Sequence, residues 1–110
     1  MSVYKPSKWQ IVKIVTEDYV LFKVLASFNR HLDLTWRLNS GITDYYYDPE
    51  GTIIFNGSSG SEYYCDRELE GLSRLTTDIL TNMQDAAVKS GFFTITPITF
   101  ADFIKEMKNK

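Results

Sequence analysis

Between residues 20 and 28 the chain alternates with a period of two. Val20, Phe22, Val24, Ala26 and Phe28 make one wholly apolar face. An extended strand is the conformation that sets positions i, i+2 and i+4 on the same side, so this segment predicts a β-strand. Its other face holds Tyr19, Leu21, Lys23, Leu25 and Ser27. That mixed set is what a face partly covered by a partner chain or a ligand would carry.

The neighbouring segments continue the strand pattern. Lys8 to Thr16 is rich in the β-branched residues Ile11, Val12, Ile14 and Val15, and polar Thr16-Glu17-Asp18 separates it from the next strand. After a polar connection from Asn29 to Asp33, Leu34, Trp36 and Leu38 point one way while Thr35, Arg37 and Asn39 point the other, until Ser40-Gly41 breaks the run. Tyr45-Tyr46-Tyr47, then Asp48-Pro49-Glu50-Gly51, then Thr52 to Phe55 reads as strand, turn, strand. Proline stands at the second turn position, where its fixed φ helps, and glycine at the fourth. Asn56-Gly57-Ser58-Ser59-Gly60 is a further loop with an Asn-Gly hairpin signal, and Ser61 to Cys65 returns as a strand. Five or six short strands joined by short turns predict an antiparallel meander.

The last third changes period. Leu72, Leu75, Ile79, Met83, Ala86 and Ala87 recur at helical spacing. Ser73 fits an N-cap, and Lys89 with Gly91 fits a C-terminus, so a helix is predicted over 74–89. Phe92 to Thr96 reads as one more strand. Thr99-Phe100-Ala101-Asp102 resembles a capping box, with Ile98 and Phe103 as its hydrophobic staple, opening a short helix to about Met107. The fold class is therefore α+β over a single domain spanning 1–110: an antiparallel β meander of five or six strands, one longer helix, a short strand and a short C-terminal helix.

Composition narrows function by exclusion. Of 110 residues, 44% are apolar and 24% charged, which is not a disordered composition. One Cys and one His supply neither a disulfide framework nor a four-ligand zinc site. A net charge of −2 is poor for polymeric DNA or RNA, whose affinity comes from surplus Lys and Arg. The N-terminus lacks a basic-then-apolar signal pattern, and no apolar run approaches the roughly 20 residues needed to span a bilayer, so a location inside the cell and no membrane partner are expected. The aromatic share is high, at 15%, with seven tyrosines.

Each chemical candidate has a plain alternative. His31 beside Asp33 reads as a solvated loop histidine, and Cys65 as a small buried thiol. Asp44, Asp48, Glu50 and Glu62 lie near turns and form no metal loop or paired-acid motif. No catalytic residue, metal or cofactor is expected. Gly57-Ser58-Ser59-Gly60-Ser61 lacks the lysine of a phosphate-binding P-loop, but its small residues can turn successive N–H groups inward as a nest, with serine hydroxyls as further donors. Arg37 offers a planar fork to phosphate or a base edge, and Asn39 can pair with a base edge. Tyr45, Tyr46, Tyr47, Tyr63 and Tyr64 are candidate stacking platforms.

Three blocks resemble a widespread family of small phage proteins. They are Lys8-Trp9-Gln10-Ile11-Val12-Lys13-Ile14, Trp36-Arg37-Leu38-Asn39-Ser40-Gly41-Ile42 and Phe55-Asn56-Gly57-Ser58-Ser59-Gly60-Ser61-Glu62-Tyr63-Tyr64-Cys65, with Gly71-Leu72-Ser73 as a fourth. That family includes the anti-CBASS sponge proteins, which sequester cyclic dinucleotide signals such as cyclic GMP–AMP. The resemblance implies a non-enzymatic homotetramer that holds ligand near subunit interfaces, in the cytoplasm of the infected bacterial host. The residue chemistry within the matching blocks makes Trp36, Arg37, Asn39, Ser40, Gly57, Ser58, Ser59, Gly60, Ser61 and Tyr64 the expected ligand-binding set. Only two phosphate charges need be met, so a charge of −2 is no obstacle. The alternative is an inhibitor that docks its tyrosine-rich surface on a host protein. A nucleotide hydrolase is disfavoured, because the chain has neither a second His nor paired acids.

Overall fold

The computed structural model describes residues 2–30 and 33–108; the loop reading of His31 lies outside them. The order of elements is β1 (Val3–Tyr4), β2 (Lys8–Thr16), β3 (Val20–Arg30), β4 (Asp33–Leu38), β5 (Ile42–Tyr47), β6 (Ile53–Gly57), β7 (Glu62–Cys65), α1 (Arg74–Ser90), β8 (Phe93–Ile98) and α2 (Phe100–Lys108). The α+β class and the run of strands, long helix, strand and short helix are as the sequence predicts. The meander is divided into two four-stranded sheets, β1-β7-β6-β5 and β4-β3-β2-β8. Two connections are non-local: β1 pairs in parallel with β7, and β8 returns to pair antiparallel with β2.

The two sheets face each other through aromatic side chains. Trp9, Phe22, Val24, Ala26 and Phe28 from one sheet meet Ile53, Phe55, Tyr63 and Cys65 from the other, all buried. Phe100 and Phe103 of α2 lie in the same cluster. The alternating face of β3 points here from Phe22 onward, while Val20 at the strand's start stays 38% exposed.

The mixed face of β3 is covered by the chain itself at Leu25 and Ser27, while Tyr19 is 54% exposed. Leu25 packs with Val12, Leu80, Ala87 and Ile95 beneath α1, and Ser27 on the same face is buried. The helix that covers this face lies about fifty residues further along the chain, so strand alternation alone did not reveal it. The helix has the expected ends. Ser73 Oγ accepts from the Thr76 N–H and Thr76 Oγ1 accepts from the Ser73 N–H, closing a capping box. Gly91 ends the helix at φ 72°, a left-handed conformation that a Cβ disfavours.

Two ties fix the C-terminal segment. The Trp9 indole N–H donates to Asp66 O at 2.7 Å, and the Phe100 N–H donates to a Glu70 carboxylate oxygen at 2.6 Å. At the start of α2, Thr99 Oγ1 accepts from the Asp102 N–H, and the staple residues Ile98 and Phe103 both reach the inter-sheet cluster. The ion pair between Lys13 and Glu106 adds little, because both side chains are part-exposed.

Phe103 contacts Phe22, Tyr45 and Phe55 with ring centroids 5.2, 5.5 and 6.0 Å away. Phe103→Ala should cost about 3–5 kcal/mol of stability in urea titration, as a buried phenylalanine truncation does. A loss under 1 kcal/mol would place α2 outside the cooperative core.

Candidate functional site

The two sequence blocks richest in small polar residues meet in space. After β4, the Asn39 N–H donates to Val24 O at 3.0 Å, and Asn39 Oδ1 accepts from the Val24 N–H at 2.8 Å. The side chain thus takes the place that a backbone carbonyl would hold in a longer strand. This fixes Ser40 and Gly41 beside the loop between β6 and β7. The Ser58 N–H donates to Gly41 O, and the Ser59 N–H donates to Ser40 Oγ, both at 2.9 Å. Ser40 Oγ donates to Ser59 Oγ at 3.1 Å, and Ser59 Oγ lies 3.5 Å from Ser61 Oγ. The result is a chain of hydroxyls along the seam between the sheets.

Gly57 eases this close approach. A Cβ there would stand 3.1 Å from Ser40 Oγ and 3.5 Å from Asn39 Nδ2. Asn39 is 3% exposed, and among the described residues its Nδ2 has no hydrogen-bond partner. A buried amide left half satisfied is uncommon and costs free energy.

The loop is not a backbone nest. The N–H groups of Gly57, Ser58, Ser59 and Gly60 are committed to Ser61 O, Gly41 O, Ser40 Oγ and Gly57 O. Hairpin closure and docking on Ser40-Gly41 consume the donors that a nest would turn toward an anion. What the cluster offers a ligand is hydroxyl groups; the Asn39 amide is buried.

Arg37 and Trp36 stand on opposite sides of β4, as alternation predicts. The Arg37 guanidinium lies over the Tyr4 ring, 4.4 Å from its centroid. Burial pushes the Tyr63 phenol up, and Arg37 opposes that shift. No carboxylate among the described residues forms an ion pair with Arg37. Arg37 is two residues from Asn39, and Tyr63 two from Ser61, or about 6–7 Å along each strand. Trp36 is 40% exposed on the α1 side of the sheet, away from the hydroxyl cluster. Gly60 is at the exposed loop tip.

Tyr64 faces out from the β1-β7-β6-β5 sheet in a row with Ile54 and Tyr46. The Tyr46 hydroxyl donates to Glu62 Oε2 at 2.8 Å, and that bond raises its pKa. Of the expected set, then, Asn39, Ser40, Gly57, Ser58, Ser59 and Ser61 converge, Arg37 flanks them, and Trp36 and Tyr64 face elsewhere. Tyr4 is the residue that sequence reasoning missed. Its place under Arg37 depends on the parallel pairing of β1 with β7, which has no local signal.

Cys65 is fully buried, and desolvation drives its thiol pKa upward. A groove of about 550 Å³ between the end of α1 and strands β2 and β8, lined by Val15, Ala87, Val88, Phe92, Phe93 and Ile95 among others, contains none of the expected site residues. Among the described residues no group of His, Cys, Asp and Glu could hold a metal ion, and no helix is long and apolar enough to cross a membrane. Comparison with protein-family models, with curated proteins and with solved structures returns no match.

Two outcomes test this geometry. Asn39→Ala leaves the Val24 N–H without its acceptor and should cost about 1–3 kcal/mol in chemical denaturation. Cys65 should resist a disulfide reagent at pH 8 in the folded protein and react fully once unfolded, because burial disfavours the thiolate; rapid labelling of the native state would contradict its buried position.

Proposed function

We propose that the protein binds a cyclic dinucleotide of the cyclic GMP–AMP class and holds it without cleavage, so that effectors awaiting that signal stay inactive. On this reading it acts in the cytoplasm of an infected bacterial host, as a homo-oligomer with ligand near its subunit interfaces, as the resemblance of its motif blocks implies. The observation that supports the reading is the meeting of Asn39-Ser40-Gly41 with Gly57 to Ser61, beside an arginine whose guanidinium is stacked on Tyr4. A phosphodiester needs a fixed planar donor and several hydroxyl donors at short range. An arginine stacked on an aromatic ring loses less side-chain entropy on binding than a free one.

A second reading, inhibition of a host protein by direct contact, is favoured by the outer row of Tyr46, Ile54 and Tyr64. Tyr46 is 42% exposed there, and Ile54 is buried between its neighbours. Tyrosine is enriched at protein interfaces.

Calorimetry with cyclic GMP–AMP, followed by heat denaturation and chromatography of the released nucleotide, separates these readings. Tight binding with intact nucleotide recovered supports sequestration. No binding, or recovery of a linear product, overturns it. Arg37→Ala should weaken binding by about 1.5–3 kcal/mol, roughly ten- to 150-fold, with the fold unchanged by circular dichroism. If Tyr46→Ser instead abolishes stoichiometric capture of one host protein, the second reading holds.

A further inference from the structure

The groove at the end of α1 has the size and make-up of a small-ligand site. Its volume of about 550 Å³ falls within the range of such sites, and its walls are mostly apolar with a few polar groups. Val88 and Phe92 on its rim are 82% and 81% exposed, the two most exposed large apolar residues among those described. Single exposed apolar side chains are common, but two on the rim of one groove leave apolar area for a ligand to cover.

The groove is also polarised negative at one end. Among the described residues Glu17 is the one charged side chain in its wall; Lys89, in the last turn of α1, is not part of the lining. Thr16 pairs with Phe93, so Glu17 and the Gly91-Phe92 turn stand at the same end of the groove.

That end also receives the C-terminus of α1. The Gly91 N–H closes a single bond on Ala87 O, and the Phe92 N–H, which would close the second bond of a fuller cap, is drawn to Ser90 Oγ at 3.2 Å. The carbonyls of Val88, Lys89 and Ser90 therefore accept no hydrogen bond from the described residues. A helix end of this kind carries a partial negative charge equivalent to about half an elementary charge. Phe92 and Phe93 beside it have rings whose faces attract cations.

We propose that this groove binds a small organic cation, with an apolar body lying over Val88, Phe92 and Phe93 and an ammonium group at the Glu17 end. Charge complementarity selects the class. A carboxylate, an open helix C-terminus and phenyl rings all favour positive charge, and all disfavour an anion. The apolar body is needed as well, because one exposed carboxylate binds a bare cation only weakly. A cyclic dinucleotide, with two phosphate charges, has the wrong sign for this groove, so the site is separate from the hydroxyl seam around Ser40 and Ser59.

The test compares three probes of similar shape and different charge: phenylbutylamine, phenylbutanol and phenylbutyrate. Each is titrated into the isotope-labelled full chain and followed by the backbone amide signals. The amine should bind about five- to thirtyfold more tightly than the alcohol, and the butyrate most weakly, with shifts at Glu17, Gly91, Phe92 and Thr94. Glu17→Gln should weaken the amine about two- to fivefold and leave the alcohol unchanged. Phe92→Ala should weaken amine and alcohol alike, with the fold unchanged by circular dichroism because Phe92 is exposed. Equal affinity for the three probes, tightest binding of the butyrate, shifts confined to residues outside the groove, or no binding at millimolar concentration would each overturn the proposal. Tighter binding of a blocked Lys-Phe dipeptide than of the amine would assign the groove to a protein partner and overturn it too. No readout involves a nucleotide, so failure here leaves nucleotide binding to be judged separately.

Discussion

Phe100 and Phe103 hold the two sheets in their relation to each other. Their rings reach Trp9 and Phe22 on one sheet and Tyr45, Tyr47 and Phe55 on the other, mostly edge to face at centroid separations of 5.2–6.3 Å. Burying each ring contributes about 1.5–3 kcal/mol, and the edge-to-face geometry adds to that. A sandwich of two twisted sheets has ends that its own strands do not fill. Here the last helix fills one. Its position follows from β8, which pairs with β2 and so delivers α2 to the open end. The hydrogen bond from the Phe100 N–H to Glu70 then ties the helix start to the segment that bonds Trp9.

The sequence reading and the structure part at pairing. Local patterns located the elements closely. The period of two marked β2 and β3, the Asp48-to-Gly51 turn closes with the Gly51 N–H on Asp48 O, and Ser73 and Gly91 bound α1. Alternation reports which residues share a face and says nothing of which strand lies alongside. The division into two sheets, the parallel β1 and the cover of α1 over Leu25 all depend on contacts between distant segments. The same limit explains the loop. Its glycines and serines marked a special turn, but whether its N–H groups face a ligand or face Ser40 and Gly41 is decided by a segment some seventeen residues earlier.

That distinction changes the chemistry available at the seam. Backbone N–H groups are rigid donors that favour an anion of one shape. Serine hydroxyls rotate, and each can donate or accept. A chain running from Ser40 through Ser59 to Ser61 can therefore reorient as a unit, adapting to a phosphate oxygen or to a base edge. Fixed charge comes from Arg37 alone among the groups named, and its guanidinium is stacked on the Tyr4 ring. Specific geometry is thus supplied by the stacked guanidinium, and adaptability by the hydroxyls.

Asn39 links this seam to the core. Its Oδ1 completes the ladder to Val24, a fully buried residue of the inter-sheet cluster, so the side chain cannot swing out without uncovering a backbone donor. Its Nδ2 is held in place as a consequence, buried and unpaired at the point where Gly57 has no side chain. An acceptor that reached Nδ2 would form a hydrogen bond without breaking one, whereas at each committed backbone N–H of the loop it would have to displace a carbonyl or hydroxyl already there. At the seam, the gain from a new polar contact is therefore greater at Asn39 Nδ2 than at the committed backbone donors of the loop.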